Sequence, residues 1–478
     1  MQPASPSIIS PARGAGSVTL RGVFALLLAL LLAAVVDAQP TAPVAAQPSK
    51  KETDKKDPDK KDPVKPPEVK WPTDINGKDI KAVMEDMGHL DPTIREFAAR
   101  TLPNFGPPAQ KGEVSKLLLK RMNVERDPTV RFAVWNAVGA IPFDNEDDNT
   151  EALRLLINVI DTGASGGSSR YQAVQTVSMF GPRASGAITA LTGVAASDAS
   201  YETRRTIAST LGRVGFNETT GPNMKALSSL ADRFARDESA AVRMESLQAL
   251  MLLGPPWDGV KKAGMMMPPP INTKSAEVIV KYMKARVGDP KMKREGLEKD
   301  KQVEIWARLV LMRFDPKEVN EENLDAFARH LTGIEVGVKV QALQAIALMG
   351  ETAGKKVNAV ANLLSEKDQP IQLTLVTVQT LAAMGAGAKP AIPELKKLAD
   401  EMKKTIDKMK DEERKMALDL IKLKDQEKKD ADNALKGKEN DRKTGEEIVK
   451  LIESVIKHID EAKPISPSSG SGDPSKKP

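Results

Sequence analysis

The sequence predicts an all-α chain: an α-solenoid of about eight helical pairs, finished by a long C-terminal helix or helical hairpin. Three observations predict it. A short frame recurs, as in "DPTIREFAARTLPNFG" from Asp91 and "DPTVRFAVWNAVGAIP" from Asp127. The positions that close each copy are nearly evenly spaced, the mark of a repeat array. Aromatic residues make up only 4% of the 478 residues, few for one large globular core, and no run reads as a strand.

The frame is set by an apolar or small residue followed by Arg: Ile94-Arg95, Val130-Arg131, Thr203-Arg204 and Val242-Arg243. Eight residues after the first of each couple stands an aliphatic, Leu102, Val138, Leu211 or Leu250, with Ala98, Val134, Ala208 and Ser246 between. The closing positions are Gly106, Pro142, Gly181, Gly215, Gly254, Asp315, Gly350 and Gly385, separated by 36, 39, 34, 39, 61, 35 and 35 residues. Each unit resolves into two helices. The first opens on Asp-Pro or another polar turn, where Asp caps free amides and Pro fits the first turn. The closing Gly is expected to supply a left-handed helix end. Second helices follow in "EVSKLLLKRM", "EALRLLINVI" and "KPAIPELKKLAD". Pairs this short cannot bury both apolar faces alone, so neighbours must stack.

Outside the array, residues 1–38 read as an export signal. Arg13 and Arg21 precede the apolar run Val23 to Val36, and "VDA" places cleavage after Ala38. The run has 14 residues, short of the roughly 20 that span a bilayer. Cleavage therefore leaves no stable membrane span; retention as an anchor is the alternative. Residues 39–70 are rich in Lys, Asp and Pro and almost free of apolar side chains, the composition of a disordered linker. The solenoid is assigned to 71–398, with an insertion at 255–274. Within it, Trp257 and Met265, Met266 and Met267 form a candidate partner-binding loop; folding back to fill a gap between repeats is the competing reading. Residues 399–463 read as a charged helical hairpin capping the array, or as a coiled coil with another chain. The break is placed at "GKENDRKTG", and 464–478 as a frayed, disordered tail.

Chemistry is sought without success. The absence of Cys removes disulfides, thiolate metal sites and a thiol nucleophile. His89, His330 and His458 lie in separate elements with no metal-binding spacing. "GASGG" around Ser165 matches a nucleophile elbow only in letters, since no strand precedes it. "GETAGKK" lacks the spacing of a phosphate-binding loop, and "DNEDDNTE" fails as a calcium loop. No cofactor or metal is expected. A net charge of +6 spread over the whole chain does not call for nucleic acid.

"GAGAKPAIPELKKLAD" and the "DPTVRFAVWNAVG" units together resemble HEAT repeats, in particular the short bacterial HEAT-like class of phycobilin lyases, over about Ile75 to Asp400. The resemblance implies a superhelix whose second helices line a concave face. It also implies a ladder in the inter-repeat loops, in which Arg side chains join Asp: Asp198 with Arg204 and Asp237 with Arg243, six residues apart. Arg95 and Arg131 depart from that spacing, with Asp91 and Asp127 four residues before them and suited to capping instead. The functional expectation is a non-enzymatic, exported scaffold (periplasmic, cell-envelope or secreted) that binds a protein partner through its groove or the Trp257 insertion. Two alternatives are a phycobilin-lyase-like, ligand-binding enzyme or chaperone and a nucleic-acid-binding solenoid. Partner identity and oligomeric state are not readable from these residues.

Overall fold

The computed structural model describes residues 70–163, 167–217, 220–254, 273–288, 297–366, 369–420 and 425–463. The signal and linker up to residue 69, the Trp257 and Met265–Met267 insertion and the tail from 464 lie outside the described residues. The chain divides into two bodies. One is Thr41–Asn323; the other includes Leu324–Pro478.

The first body opens on a small hairpin, β1 (Asp74–Ile75) and β2 (Lys78–Asp79), which pair antiparallel. Its turn is Asn76-Gly77, both at positive φ, the dipeptide that two-residue hairpin turns favour. Asp79 then caps α1 (Ile80–Asp86) by accepting from the Ala82 amide at 2.8 Å.

Helical pairs follow. The first helices are α2 (Pro92–Thr101), α4 (Pro128–Ala140), α6 (Gly167–Phe180), α8 (Tyr201–Val214), α10 (Ala240–Leu253) and α12 (Lys301–Phe314). The second helices are α3 (Gly112–Val124), α5 (Glu146–Thr162), α7 (Ile188–Val194), α9 (Met224–Arg236) and α11 (Thr273–Val287). A second two-residue ladder, β3 (Phe216–Asn217) with β4 (Gly221–Pro222), joins α8 to α9. Each first helix packs against the next first helix and each second against the next second, giving two parallel layers. This is an α-solenoid.

Small side chains set the spacing of the first layer. Six residues after the frame's Arg stand Thr101, Ala137, Thr176, Thr210 and Ala249, all buried. Their size lets successive helix backbones approach. The Thr210 hydroxyl lies 3.4 Å from the Val174 carbonyl of the preceding repeat. The aliphatics Leu102, Val138, Leu211 and Leu250 fill the space between the layers. Each such side chain contributes about 2 kcal/mol when fully withdrawn from water. The layers persist because every repeat supplies a wall to the next.

The closing glycines do not share one role. Gly106 and Gly181 have positive φ, as the sequence leads one to expect, but Gly215 and Gly254 do not. At Gly215 a Cβ would come within 2.4 Å of the Leu211 carbonyl, and at Gly254 within 2.7 Å of the Arg313 side chain. Those two are needed for room, not for a left-handed turn. Arg313 occupies the space at Gly254, with a terminal nitrogen 3.3 Å from the Gly254 carbonyl. Burial pushes its guanidinium down to about 10.

The boundary between the bodies falls inside α13 (Glu321–His330). In the second body α14 (Val336–Leu348) packs on α16 (Ile371–Ala383), with Ala345 and Thr380 at the small-residue position. The short helix α15 (Val357–Ala361) and the turn at Gly385–Ala391 complete this stack. α17 (Ile392–Leu420) and α18 (Asp425–Glu461) then run along one another, and α18 also packs on α16. Leu395, Ala399 and Ile406 on α17 and Ile448, Ile452, Val455 and Ile459 on α18 are buried there. The sequence places the break at Gly437–Gly445, yet both glycines lie inside α18. Gly445 sits where a Cβ would come within 3.3 Å of Ile406, so it admits the neighbouring helix. Between Gly437 and Gly445, Arg442 donates from Nε to both oxygens of Glu413 at 3.0 Å and so ties α18 to α17.

Candidate functional site: the inter-repeat ladder and the outer helical faces

The charged residues singled out by the sequence converge on the loops between repeats. Asp91 and Asp127 cap α2 and α4, accepting from Thr93 at 2.8 Å and from Thr129 and Val130 at 2.9 and 3.0 Å. Pro92 and Pro128 occupy the first helical positions, where no amide is missed.

The arginines reach forward one repeat. Arg204 sends one terminal nitrogen back to the Asp198 carbonyl at 2.9 Å. Its other two nitrogens fork onto the Asp237 carboxylate of the next loop at 2.8 and 3.0 Å. Asp237 in turn accepts from the Ser239 amide at 3.0 Å. Arg243 repeats the pattern, from the Asp237 carbonyl at 3.0 Å to a fork on Glu298, both contacts 2.7 Å. So Asp198 and Arg204, six apart in sequence, touch through backbone. The ion pair runs from Arg204 to Asp237.

Arg95 does the same. It takes the carbonyls of His89 and Leu90 at 2.9 Å and forks onto Glu125 at 2.8 and 2.9 Å. Glu125 accepts from the Arg126 and Asp127 amides, both at 3.1 Å. Arg170, which the sequence reading passes over, donates to Asp198 at 2.7 Å and to the Ile160 carbonyl at 2.7 Å. In the second body Lys339 meets Glu366 at 2.7 Å.

A single rule covers these contacts. The base at the frame position pairs with an acid in the loop one repeat later, six residues before the next frame position in the first body. Glu125 stands six before Arg131, and Glu298 six before Glu304, which holds the frame position in α12. A search for Asp alone misses both, and the two extra capping Asp residues draw attention away from Glu125.

Where a fork forms, its two charges answer one another. Hydrogen bonding to Arg95 holds the Glu125 carboxyl below the usual carboxylate range, and Glu125 raises the Arg95 guanidinium. Burial pushes Asp237 up, but the Arg204 fork, the Ser239 amide and the Arg233 charge outweigh it and leave the carboxyl lowered. Glu298 behaves likewise beneath Arg243. These buried charges are mutually satisfied and geared to holding loops together. The carboxyls of Glu125, Asp237 and Glu298 are lowered, the opposite of the raised acid that proton transfer uses.

On the second-helix layer of the first body the exposed side chains include Lys116, Lys120, Arg154, Asn158, Lys225 and Lys281, with the apolar Val124, Met224 and Val278 among them. Several of the cations are engaged: Arg154 by Glu151 and Lys284 by Glu318. On the first-helix layer Phe97, Met179 and Leu252 are exposed. Met179 covers Gly139 of the repeat before, and Leu252 covers Gly212. A hollow of about 410 Å³ lies between α1 and the Pro107-Pro108 turn, lined by the apolar Ile80, Met84 and Val114 together with Lys81, Lys111 and Glu113. Among the described residues no three His, Asp or Glu gather to hold a metal ion. No helix there is long and apolar enough to cross a membrane.

No family model and no curated protein matches the chain. Among solved structures it is similar to yeast importin-beta (Kap95p), with 12% identity over 79% of this chain and 46% of that one, at a TM-score of 0.47. It is also similar to importin-beta crystallised in polyethylene glycol, with 13% identity over 80% of this chain and 49% of that one (TM-score 0.43). A third is YibA of E. coli, with 16% identity over 63% of this chain and 91% of that one (TM-score 0.37). The chain spans less than half the length of the importin-beta structures it matches. The fold assignment rests on the stacked pairs themselves and not on these likenesses.

Proposed function

We propose that the chain is an exported, non-enzymatic scaffold that binds a protein partner along the second-helix layer or through the Trp257 insertion. The observation that carries this reading is the ladder. Forked ion pairs join successive loops, so the outer helices form a preformed, stiff surface that binds without having to order itself first. The conspicuous buried charges are spent on that stiffness. Export rests on the apolar run Val23 to Val36 and the "VDA" that follows.

Photo-crosslinking side chains at Lys120, Asn158 and Lys281, on the second-helix layer, and at Arg100 and Thr206, on the first, test the face in the native host. The reading requires one protein partner to be captured from the first three positions and not from the last two. Capture from Arg100 and Thr206 alone would refute the placement, and mass spectrometry finding a chain that still begins before residue 39 would refute the cleaved export signal.

A further inference from the structure

The ladder is untied at one joint. Arg95, Arg170, Arg204 and Arg243 each hold an acid in the next loop. Each also donates to a backbone carbonyl of the segment before its own helix, respectively His89, Ile160, Asp198 and Asp237. Among the described residues Arg131 does neither. Residues 163–169 read "GASGGSS", so the stretch where its acid belongs by the frame contains none. The Arg131 guanidinium lies over its own helix instead, 5.7 Å from the ring centre of Trp135 four residues on. A terminal nitrogen lies 3.5 Å from the Ser169 hydroxyl, a long contact, and Nε is buried without an acceptor. α4 meets α6 through close packing, where a Cβ on Gly139 would come within 3.1 Å of Met179 and 3.2 Å of Thr176. The joint between α8 and α10 has a second ion pair, Arg205 with Glu245 at 3.0 Å, beside the Arg204 fork.

We infer that the first body has a built-in hinge at the joint between α4 and α6, about which α2–α5 turn as one unit against α6 and the helices after it. In a stack whose stability passes from neighbour to neighbour, motion concentrates at the joint that is tied least. Apolar packing is non-directional and survives a small rotation, whereas a guanidinium forked onto a carboxylate fixes both distance and angle. Every other arginine of the frame in this body adds that directional tie, and the α4–α6 joint lacks it. The bond from Arg170 to the Ile160 carbonyl, 2.7 Å, secures α6 to the end of α5 and leaves α4 free of it. The outer layer is therefore stiff on either side and adjustable between α5 and α7. This goes beyond the scaffold reading and does not depend on it, because the hinge is a property of the chain alone.

The chain has no cysteine, so spin labels can be placed on introduced pairs in the full protein. Thr129, Glu202 and Gln302 are exposed and each stands two residues before its frame position, in α4, α8 and α12. The pair Thr129→Cys with Glu202→Cys spans the untied joint; Glu202→Cys with Gln302→Cys spans the same number of repeats across forked joints only. Pulsed electron resonance should give a distance distribution at least about twofold broader for the first pair than for the second. Ser169→Asp, which brings a carboxylate to Arg131 from within the chain, should narrow the first distribution to the width of the second. Equal widths in the two pairs, or a broad first distribution that persists unchanged in Ser169→Asp, overturns the inference. Should Ser169→Asp fail to fold, the comparison of the two pairs without it still decides.

Discussion

Arg204 and Asp237 lie 33 residues apart and meet through two parallel hydrogen bonds of 2.8 and 3.0 Å, with only 7% and 1% of their side chains exposed. The same Asp237 carries through its backbone carbonyl the next arginine, Arg243. A loop is thus held from one side by its carboxylate and from the other by its carbonyl, and the stack is pinned repeat by repeat.

Breaking that pair from one side leaves a buried charge without its counterion. Arg204→Ala is expected to cost about 3–5 kcal/mol, measured by urea unfolding. Replacing both partners, as in Arg204→Met with Asp237→Leu, should cost clearly less than the single change. Equal losses would mean the pair itself, and not the stranded carboxylate, dominates.

Acid should loosen the ladder. Glu125, Asp237 and Glu298 all have carboxyls lowered in the folded chain. A lowered folded value means the stabilisation is complete above the unfolded carboxylate range, near pH 4–4.5, and is lost as pH falls through the lower folded values. Thermal unfolding followed by circular dichroism from pH 7 to 2 should show a nearly level midpoint down to about pH 5 and a steep fall below 4. Arg204→Met/Asp237→Leu should flatten part of that fall.

Glycines in the second body separate crowding from freedom. A Cβ on Gly387 would stand 2.9 Å from the Gly354 Cα, so Gly387→Val should destabilise by roughly 1–3 kcal/mol through overpacking. Gly437, inside α18 with nothing near its absent side chain, should behave oppositely. Gly437→Ala should stabilise by about 0.5–1 kcal/mol. Chemical denaturation of the two variants checks both signs.

Salt should matter little in the first body and more along α17 and α18. Lys403–Glu453 and Lys438–Glu412 are exposed pairs, worth little individually and screened by salt. Hydrogen exchange at 0.05 and 1 M sodium chloride is expected to speed for α18 amides near Lys438 while Val242 to Leu250 stay protected.

The architecture was legible because a repeat prints the same physical demand many times. Leu102, Val138, Leu211 and Leu250 mark the buried stripe, and even closing positions mark the pairs. The asymmetries were harder to read. Gly215 and Gly254 look like Gly106 in sequence, yet neither takes a positive φ; a Cβ there would meet the Leu211 carbonyl of the helix's own last turn and the Arg313 side chain respectively. Gly437 and Gly445 look like a turn, but ion pairs and Ile406 carry α18 through them. In the ladder, the spacing of six was visible while the partner was not. Arg204 and Asp237 belong to different repeats, and a pairing across a repeat follows from stacking, not from sequence distance. Arg131 shows the reverse: among the described residues it meets no carboxylate, only the Ser169 hydroxyl at 3.5 Å, and Ala164 in the position six before Arg170 makes that legible once the rule is known from the fold.

The most direct measurement compares the isolated α8–α9 segment, residues 199–238, with the stack spanning residues 70–254, both by circular dichroism and urea unfolding. If each pair stands only by its neighbours, the short segment is unfolded while the stack unfolds cooperatively at high denaturant. A short segment that is helical and melts in its own sharp transition would contradict the account.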